Sequence, residues 1–159
     1  MAIYLDIAGI KGKSGHDNYK DWIVVQSMHW GVENDAKTTV GVAGSRMPAG
    51  KITPHDVSMM KEMDQSTVPL MKLVFAGTNQ AKARIVVTQS TDSGDAYLEY
   101  TLTNAIVSSF QTSANSEGLP IENFAINFTK VEVKANPTSA TGGSQQVVGE
   151  YDFEKAKAG

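Results

Sequence analysis

The 159-residue sequence contains no cysteine, only five prolines and three histidines, and no apolar run approaching the roughly 18 residues that a membrane helix needs. The missing cysteine removes disulfide frameworks, thiolate zinc sites, iron–sulfur clusters and thiol nucleophiles together, and leaves the redox compartment open. Charge is also sparse. Charged residues make up 19% of the chain, below the roughly 25% of an ordinary soluble domain. The 14 basic residues against 17 acidic ones leave a net charge of −3, which provides neither a polycationic field for nucleic acid nor an acidic tail. So little charge suggests that part of the surface is meant to be covered. The opening segment, Met1 to Ile7, alternates and has no basic leader, so a strand is expected there and not a cleaved signal peptide.

What is present is a series of short alternating runs separated by turn residues. At this length a folded chain buries about 70% of the surface its unfolded form exposes, enough for a core without staples. Ile3, Leu5 and Ile7 share one face of the first run, which ends in a stretch punctuated by Gly9, Gly12 and Gly15. The second run, Asp21 to Trp30, is apolar on both faces, so it is expected to be covered on both sides. Periodicity is then lost from Gly31 to Gly50. Loops longer than roughly 12–15 residues are usually functional or disordered, and Val40, Val42 and Met47 inside this one suggest docking. A third run, Lys51 to Met63, carries Pro54 as an edge or bulge signal. The one helix expected has Ser66 as N-cap, Pro69 in its first turn, Leu70, Leu73 and Val74 at helical spacing, and Gly77 as terminator. Strands return at Ala83 to Val87, Tyr97 to Leu102 and Ile106 to Thr112, with a hairpin turn at Asp92 to Asp95. From Glu122 to Val133 the apolar parity changes near Thr129-Lys130, which predicts a bulge or a passage between sheets. A Pro/Gly/Ser/Thr loop precedes a last strand, Val147 to Phe153. With no internal repeat and about eight strands beside one helix, the pattern predicts a sandwich or barrel.

No local motif supports catalysis. Gly12-Lys13-Ser14 resembles the end of a phosphate-binding loop, but Ile7 stands where that loop needs glycine and no helix pattern follows. An ordinary glycine-rich hairpin loop explains it. His16, His29 and His55 have no HxH or HExxH spacing, Asp92, Asp95 and Glu99 fail the EF-hand pattern, and no G-x-S-x-G elbow is present. No cofactor and no metal are expected. Met59, Met60, Met63 and Met71 cluster around the helix as soft core packing, an adaptable interface being the alternative. Trp22 and Trp30 are core anchors or interface residues, which sequence cannot separate.

The order of features is more specific than any one of them. A strand at Ile3 to Ile7 with Gly9-Ile10-Lys11-Gly12 is followed by Ile23 to Gly31 and the long loop. Lys61-Glu62-Met63-Asp64-Gln65-Ser66-Thr67 then runs into the Leu70-Met71 helix, with Leu102 to Ser109 and Glu122 to Phe128 beyond it. From about Ala2 to Phe153 the chain resembles the hemolysin-coregulated protein (Hcp) family of bacterial type VI secretion. One departure is that Val68 separates the Ser-Thr pair from Pro69, where many members have proline directly.

The resemblance implies a mainly β fold: an antiparallel barrel of about eight strands with a flanking helix and a long protruding loop. It implies a single domain over residues 1–153, a short tail over 154–159 too short for an appended toxin, and homohexameric rings that stack into a tube. The partners it implies are further copies of the chain, a valine-glycine-repeat spike protein, a contractile sheath and effector cargo in the lumen, without nucleic acid or membrane insertion. Assembly is expected in the bacterial cytoplasm, with release by type VI secretion without a cleaved leader. The long loop matches one that reaches a neighbouring ring, so Val40, Val42, Arg46 and Met47 are expected to mediate ring stacking. The alternatives are a monomeric barrel holding a small ligand and a hydrolase whose polar residues converge only in space.

Overall fold

The computed structural model describes residues 1–35, 50–77, 80–89, 95–136, 146–155 and 157–158. Twelve strands are formed among these residues: β1 (Ala2–Ile7), β2 (Ile23–Val25), β3 (Ser27–His29), β4 (Val32–Asn34), β5 (Ile52–Pro54), β6 (Val57–Glu62), β7 (Gln80–Thr88), β8 (Ala96–Ser113), β9 (Ile121–Asn127), β10 (Lys130–Ala135), β11 (Val147–Asp152) and β12 (Lys157–Ala158). A 3-10 turn spans Asp17–Tyr19, and one helix, α1 (Thr67–Ala76), packs against β8. Every strand pairing is antiparallel. One sheet runs β2-β1-β7-β8-β10-β11-β12 and the other β3-β6-β9-β8, while β4 and β5 form a separate ribbon.

The mainly β, antiparallel class expected from the sequence is found; the strand count and the closure differ. The two sheets are not one closed cylinder. They share β8, which runs through both, and are joined on the other side by the single residue Gln26 between β2 and β3, whose N–H bonds Met60 O at 2.8 Å. Three sequence segments read as single runs, Asp21 to Trp30, Lys51 to Met63 and Glu122 to Val133, are each two strands, and two read as separate strands are one. Asp21 to Trp30 divides at Gln26: Ile23 and Val25 point into the core, whereas beyond Gln26 it is Met28 that packs inward and Ser27 and His29 that are exposed. Covering on both sides holds for β2 and fails for β3. Tyr97 to Leu102 and Ile106 to Thr112 belong to one 18-residue strand that changes inward parity from Leu102 to Ala105 across Asn104, where φ is +53°. Asparagine tolerates that left-handed conformation better than most residues.

The parity change near Thr129 is a passage between sheets, as the second of the two expected readings holds. Phe124, Ile126 and Phe128 face the core from β9 and its end, and Val131 does so from β10 in the other sheet. The two bends lie side by side. Asn104 Nδ2 donates to Thr129 Oγ1 at 3.0 Å and Thr129 N donates to Thr103 O at 3.1 Å, so one polar seam turns both strands. The core between the sheets is filled by Leu5, Ile7, Ile23, Val57, Met59, Ile85, Leu102, Phe124 and Ile126 among others.

Residues 8–22 fold back over the outer face of the first sheet. Tyr4 stacks on Tyr19 with ring centroids 4.8 Å apart, Tyr19 meets Trp22 edge-on, and the Arg84 guanidinium lies over Trp22 while holding Glu99 at 2.7 Å. This satellite packing buries Tyr4 and Val86 away from the main core, and burial pushes the Tyr4 phenol above its ordinary range. Gly12-Lys13-Ser14 is part of this hairpin loop. Gly12 N bonds Asp21 O at 2.7 Å and Ser14 N bonds Trp22 O at 3.1 Å, so the segment is laddered onto its own return strand. A Cβ on Gly12 would collide with the Trp22 and Ile23 backbone, whereas one on Gly15 would meet nothing within 4 Å. Gly12→Ala is expected to reduce stability by about 1–3 kcal/mol and Gly15→Ala to leave it nearly unchanged, as read from urea unfolding midpoints.

The helix begins and ends by different devices. Gly77, at φ +61°, closes α1 with its N–H on Leu73 O at 3.1 Å, as the sequence predicts. Ser66, expected to cap through its side chain, makes no such bond. Its N–H and hydroxyl both donate to Asp64 Oδ1, because Ser66 is itself buried beside that carboxylate. Pro69 is accommodated in the first turn despite the intervening Val68, since the amides of a first turn need no intrahelical acceptor.

Candidate assembly surfaces

No group of three or more His, Cys, Asp or Glu residues that could hold a metal ion is found among the described residues. The histidines are spread apart. His16 packs with Tyr4 and Tyr19, His29 lies exposed on β3, and His55 Nε2 is 3.2 Å from Glu33 Oε1. Asp56 binds Ser108 Oγ at 2.6 Å and Asn127 Nδ2 at 2.8 Å, an arrangement of the β6 entry against β8 and β9 that includes no histidine. Among the described residues no helix is long and apolar enough to cross a membrane.

The features that remain are surfaces. The outer face of the second sheet forms a concavity of about 640 Å³. Strand register sets two rows across it: Ser27, Met60, Asn123 and Gln111, then His29, Ser58, Ala125 and Ser109. Their alternates Met59, Phe124 and Ile126 point into the core, so period-2 alternation alone places these eight residues outside. The face offers hydroxyl and amide groups, and none of those eight residues is Asp, Glu, Lys or Arg.

A second concavity, of about 360 Å³, is apolar and lies between the β4–β5 ribbon and the β10–β11 hairpin, lined by Trp30, Val32, Ile52, Val133, Tyr151 and Phe153 among others. Its walls are Trp30, Val32 and Ile52 on one side and Val131, Val133 and Tyr151 of β10 and β11 on the other. Trp30 belongs to a chain of aromatic contacts with Tyr100 and Phe128, and Phe128 meets Phe153. Its indole N–H donates to His55 O at 3.0 Å, and His55 N donates to Gly31 O at 3.0 Å, which pins the base of the ribbon. Trp30 is thus a core anchor at one edge and a groove wall at the other. Val32 is half exposed, as are Val147 and Val148 of β11. A second apolar surface is the outer side of α1, where Phe75 is 83% exposed and Val68 57%.

The β4–β5 ribbon carries the ends of the long loop. Sequence periodicity missed Val32–Asn34 as a strand because all three residues are exposed and show no alternation. Val40, Val42, Arg46 and Met47, expected to mediate stacking, lie outside the described residues, as do Asp92 and the turn beside it; Gln89 N bonds Asp95 O at 2.9 Å across that hairpin.

The sequence reading also missed a buried ionic cluster. Lys61 and Glu122 are cross-strand partners on the inward faces of β6 and β9, both fully buried. Lys61 Nζ is 2.6 Å from Glu122 Oε2, a charge contact without hydrogen-bonding alignment, and donates to Asp64 Oδ1 at 2.9 Å and Glu62 O at 3.2 Å. Thr67 Oγ1 donates to Glu122 Oε1 at 2.7 Å. Burial by itself would push the Asp64 carboxyl up; hydrogen bonds from Ser66 and Lys61 outweigh it and hold the carboxyl below its ordinary value. The signal was present, since alternation through Val57 and Met59 reaches Lys61, and alternation back from Ile126 and Phe124 reaches Glu122.

Comparison with known proteins agrees with this architecture. The family described as Type VI secretion system effector, Hcp, matches residues 4–134. The chain is 31% identical over 96 residues to Protein hcp1 of Pseudomonas aeruginosa, a match covering 58% of this chain and 58% of that relative. In fold it is similar to a solved type six secretion system protein, with a TM-score of 0.90 at 24% identity over 99% of each chain. It is similar also to Hcp1 from Salmonella typhimurium, with a TM-score of 0.80 at 24% identity over 99% of this chain and 97% of the other. With the family match spanning the second sheet, the helix and both strand crossings, the chain belongs to the Hcp family of type VI secretion proteins.

Proposed function

We propose that this protein is the non-enzymatic tube subunit of a type VI secretion system, forming six-membered rings that stack into a secreted tube and carry effectors in the lumen. The family match over residues 4–134 carries this reading. Physical features support it. A cyclic ring needs heterologous contacts, in which one patch meets a different patch on the next copy, and this chain exposes several separate apolar surfaces together with little charge to repel its own copies. The concave face of the second sheet suits a passage lining, because hydroxyls and amides without fixed charge hold diverse cargo weakly. A spike protein and a contractile sheath complete the set of partners, with assembly in the bacterial cytoplasm and release by type VI secretion. Residues 1–153 act as the tube-forming domain, and β12 beyond them adds a short strand to the edge of its first sheet.

Light scattering of the purified chain tests the ring. A mass near six times 17.1 kDa is expected, with rings visible in negative-stain electron microscopy; a monomer at micromolar concentration would overturn the proposal. Removing residues 40–47, which include Val40, Val42, Arg46 and Met47, is expected to leave folded rings of the same mass with impaired stacking. Tubes that form equally well without the segment would refute that assignment. The ligand-holding barrel is less well supported, because side chains occupy the space between the sheets.

A further inference from the structure

We propose that the Lys61–Glu122–Asp64 cluster is a latch that fastens α1 to the two sheets, so that α1 opens as a unit, like a lid, before the sheets unfold. Three observations lead to this. First, the helix has little apolar grip: of its ten residues only Leu70 is fully buried, Leu73 and Val74 are partly so, and Val68 and Phe75 point to solvent. Second, the first turn is held by polar bonds that converge on one cation. Ser66 donates twice to Asp64, Thr67 donates to Glu122, Asp64 N donates to Thr67 Oγ1 at 3.2 Å, and both carboxylates face Lys61 Nζ. Gln65 Nε2 donates to Gly12 O and ties the same turn to the N-terminal loop.

Third, the cluster occupies a layer where an apolar pair would serve the core at least as well. Val57, Met59, Phe124 and Ile126 fill the rest of these inward faces, and replacing a buried ion pair by apolar groups is often neutral or stabilising. What charges add is an all-or-none character, since losing one partner leaves the others buried and uncompensated. Asp64 Oδ2 is already buried without a hydrogen-bond partner, so opening would let it hydrate. Local opening below the global unfolding free energy is the ordinary behaviour of elements with few buried apolar contacts. Opening of α1 lifts Leu70 away from β8 and uncovers apolar core at the side of the two sheets.

Hydrogen exchange of the full chain tests the latch, using Thr67→Val and the paired Lys61→Met, Glu122→Leu variant. The expected result in either variant is exchange at least tenfold faster for the Leu70 to Ala76 amides, with those of Ala83 to Val87 and Tyr100 to Leu102 unchanged. Equal acceleration of helix and strands would overturn the proposal, because the cluster would then serve the global core only. Unchanged helix exchange would overturn it too, because Leu70 alone would hold α1. Thr67→Val removes one hydroxyl and leaves all three charges, so it decides the matter if the paired variant does not fold.

Discussion

Lys61→Met is expected to lower the stability of the chain by about 3–5 kcal/mol, because it strips the cation from two buried carboxylates and leaves their charge uncompensated. The pair lies on the inward faces of β6 and β9, with Lys61 and Glu122 both fully buried. Adding Glu122→Leu to Lys61→Met is expected to recover part of that loss, since the cross-strand pair then becomes apolar like its neighbours while Asp64 alone stays without its cation. Urea unfolding of the two variants beside the unaltered chain measures both effects. If the single variant were as stable as the parent, the buried pair would hold nothing together. The pH dependence has a definite sign. Asp64 has a depressed folded-state value, so its contribution is fully present above its ordinary value of 3.8 and is lost as pH falls through the lower folded value. The parent is therefore expected to lose stability on strong acidification more steeply than Asp64→Asn, whose amide has no such proton to take up.

The second large effect is expected at Phe124. This ring is buried at the centre of the second sheet, opposite Met59 on one side and Phe110 on the other, with the Phe110 ring centroid 6.4 Å away. Phe124→Ala is expected to destabilise by about 3–5 kcal/mol, the sum of lost transfer energy and the cavity left between two sheets that cannot collapse toward each other. Phe124→Leu, which retains most of the volume, is expected to show a smaller loss. A midpoint for Phe124→Ala within 0.5 kcal/mol of the parent, on the order of the effect of a surface substitution, would mean that the core relaxes freely around the site. Because Asn123 and Ala125 beside it form the outer concave face, Phe124 also sets the position of the surface proposed to line the tube.

Several parts of this molecule were readable from residues alone because their physics is local. The left-handed Gly77 closes a helix whose Leu70, Leu73 and Val74 follow helical spacing, and the parity change at Thr129 marks a strand leaving one sheet for another. Other parts were not. Val32–Asn34 pairs with Ile52–Pro54 although neither strand alternates between buried and exposed residues, since a ribbon beyond the core has no inside to record. Ser66 offers its hydroxyl to Asp64 and not to its own helix, because the competing acceptor is held there by Lys61 and the strand that carries it. Lys61 and Glu122 obey the alternation of their strands, but charge argues for exposure until the partner is in view.

Local patterns along the chain settled the antiparallel β class, the helix and its terminator, the lack of cysteine chemistry, and the likeness to the Hcp family. These depend on neighbours within one run or on the order of runs along the chain. Strand pairing in space fixed that β8 is one strand bent at Asn104, that the sheets join through Gln26 without closing, and which faces lie outside. It also brought Lys61 of β6, Glu122 of β9 and Thr67 of α1 together. Those facts depend on pairings across 25 residues or more, such as Asn104 with Thr129 and Thr67 with Glu122, and no local periodicity carries the register that makes them.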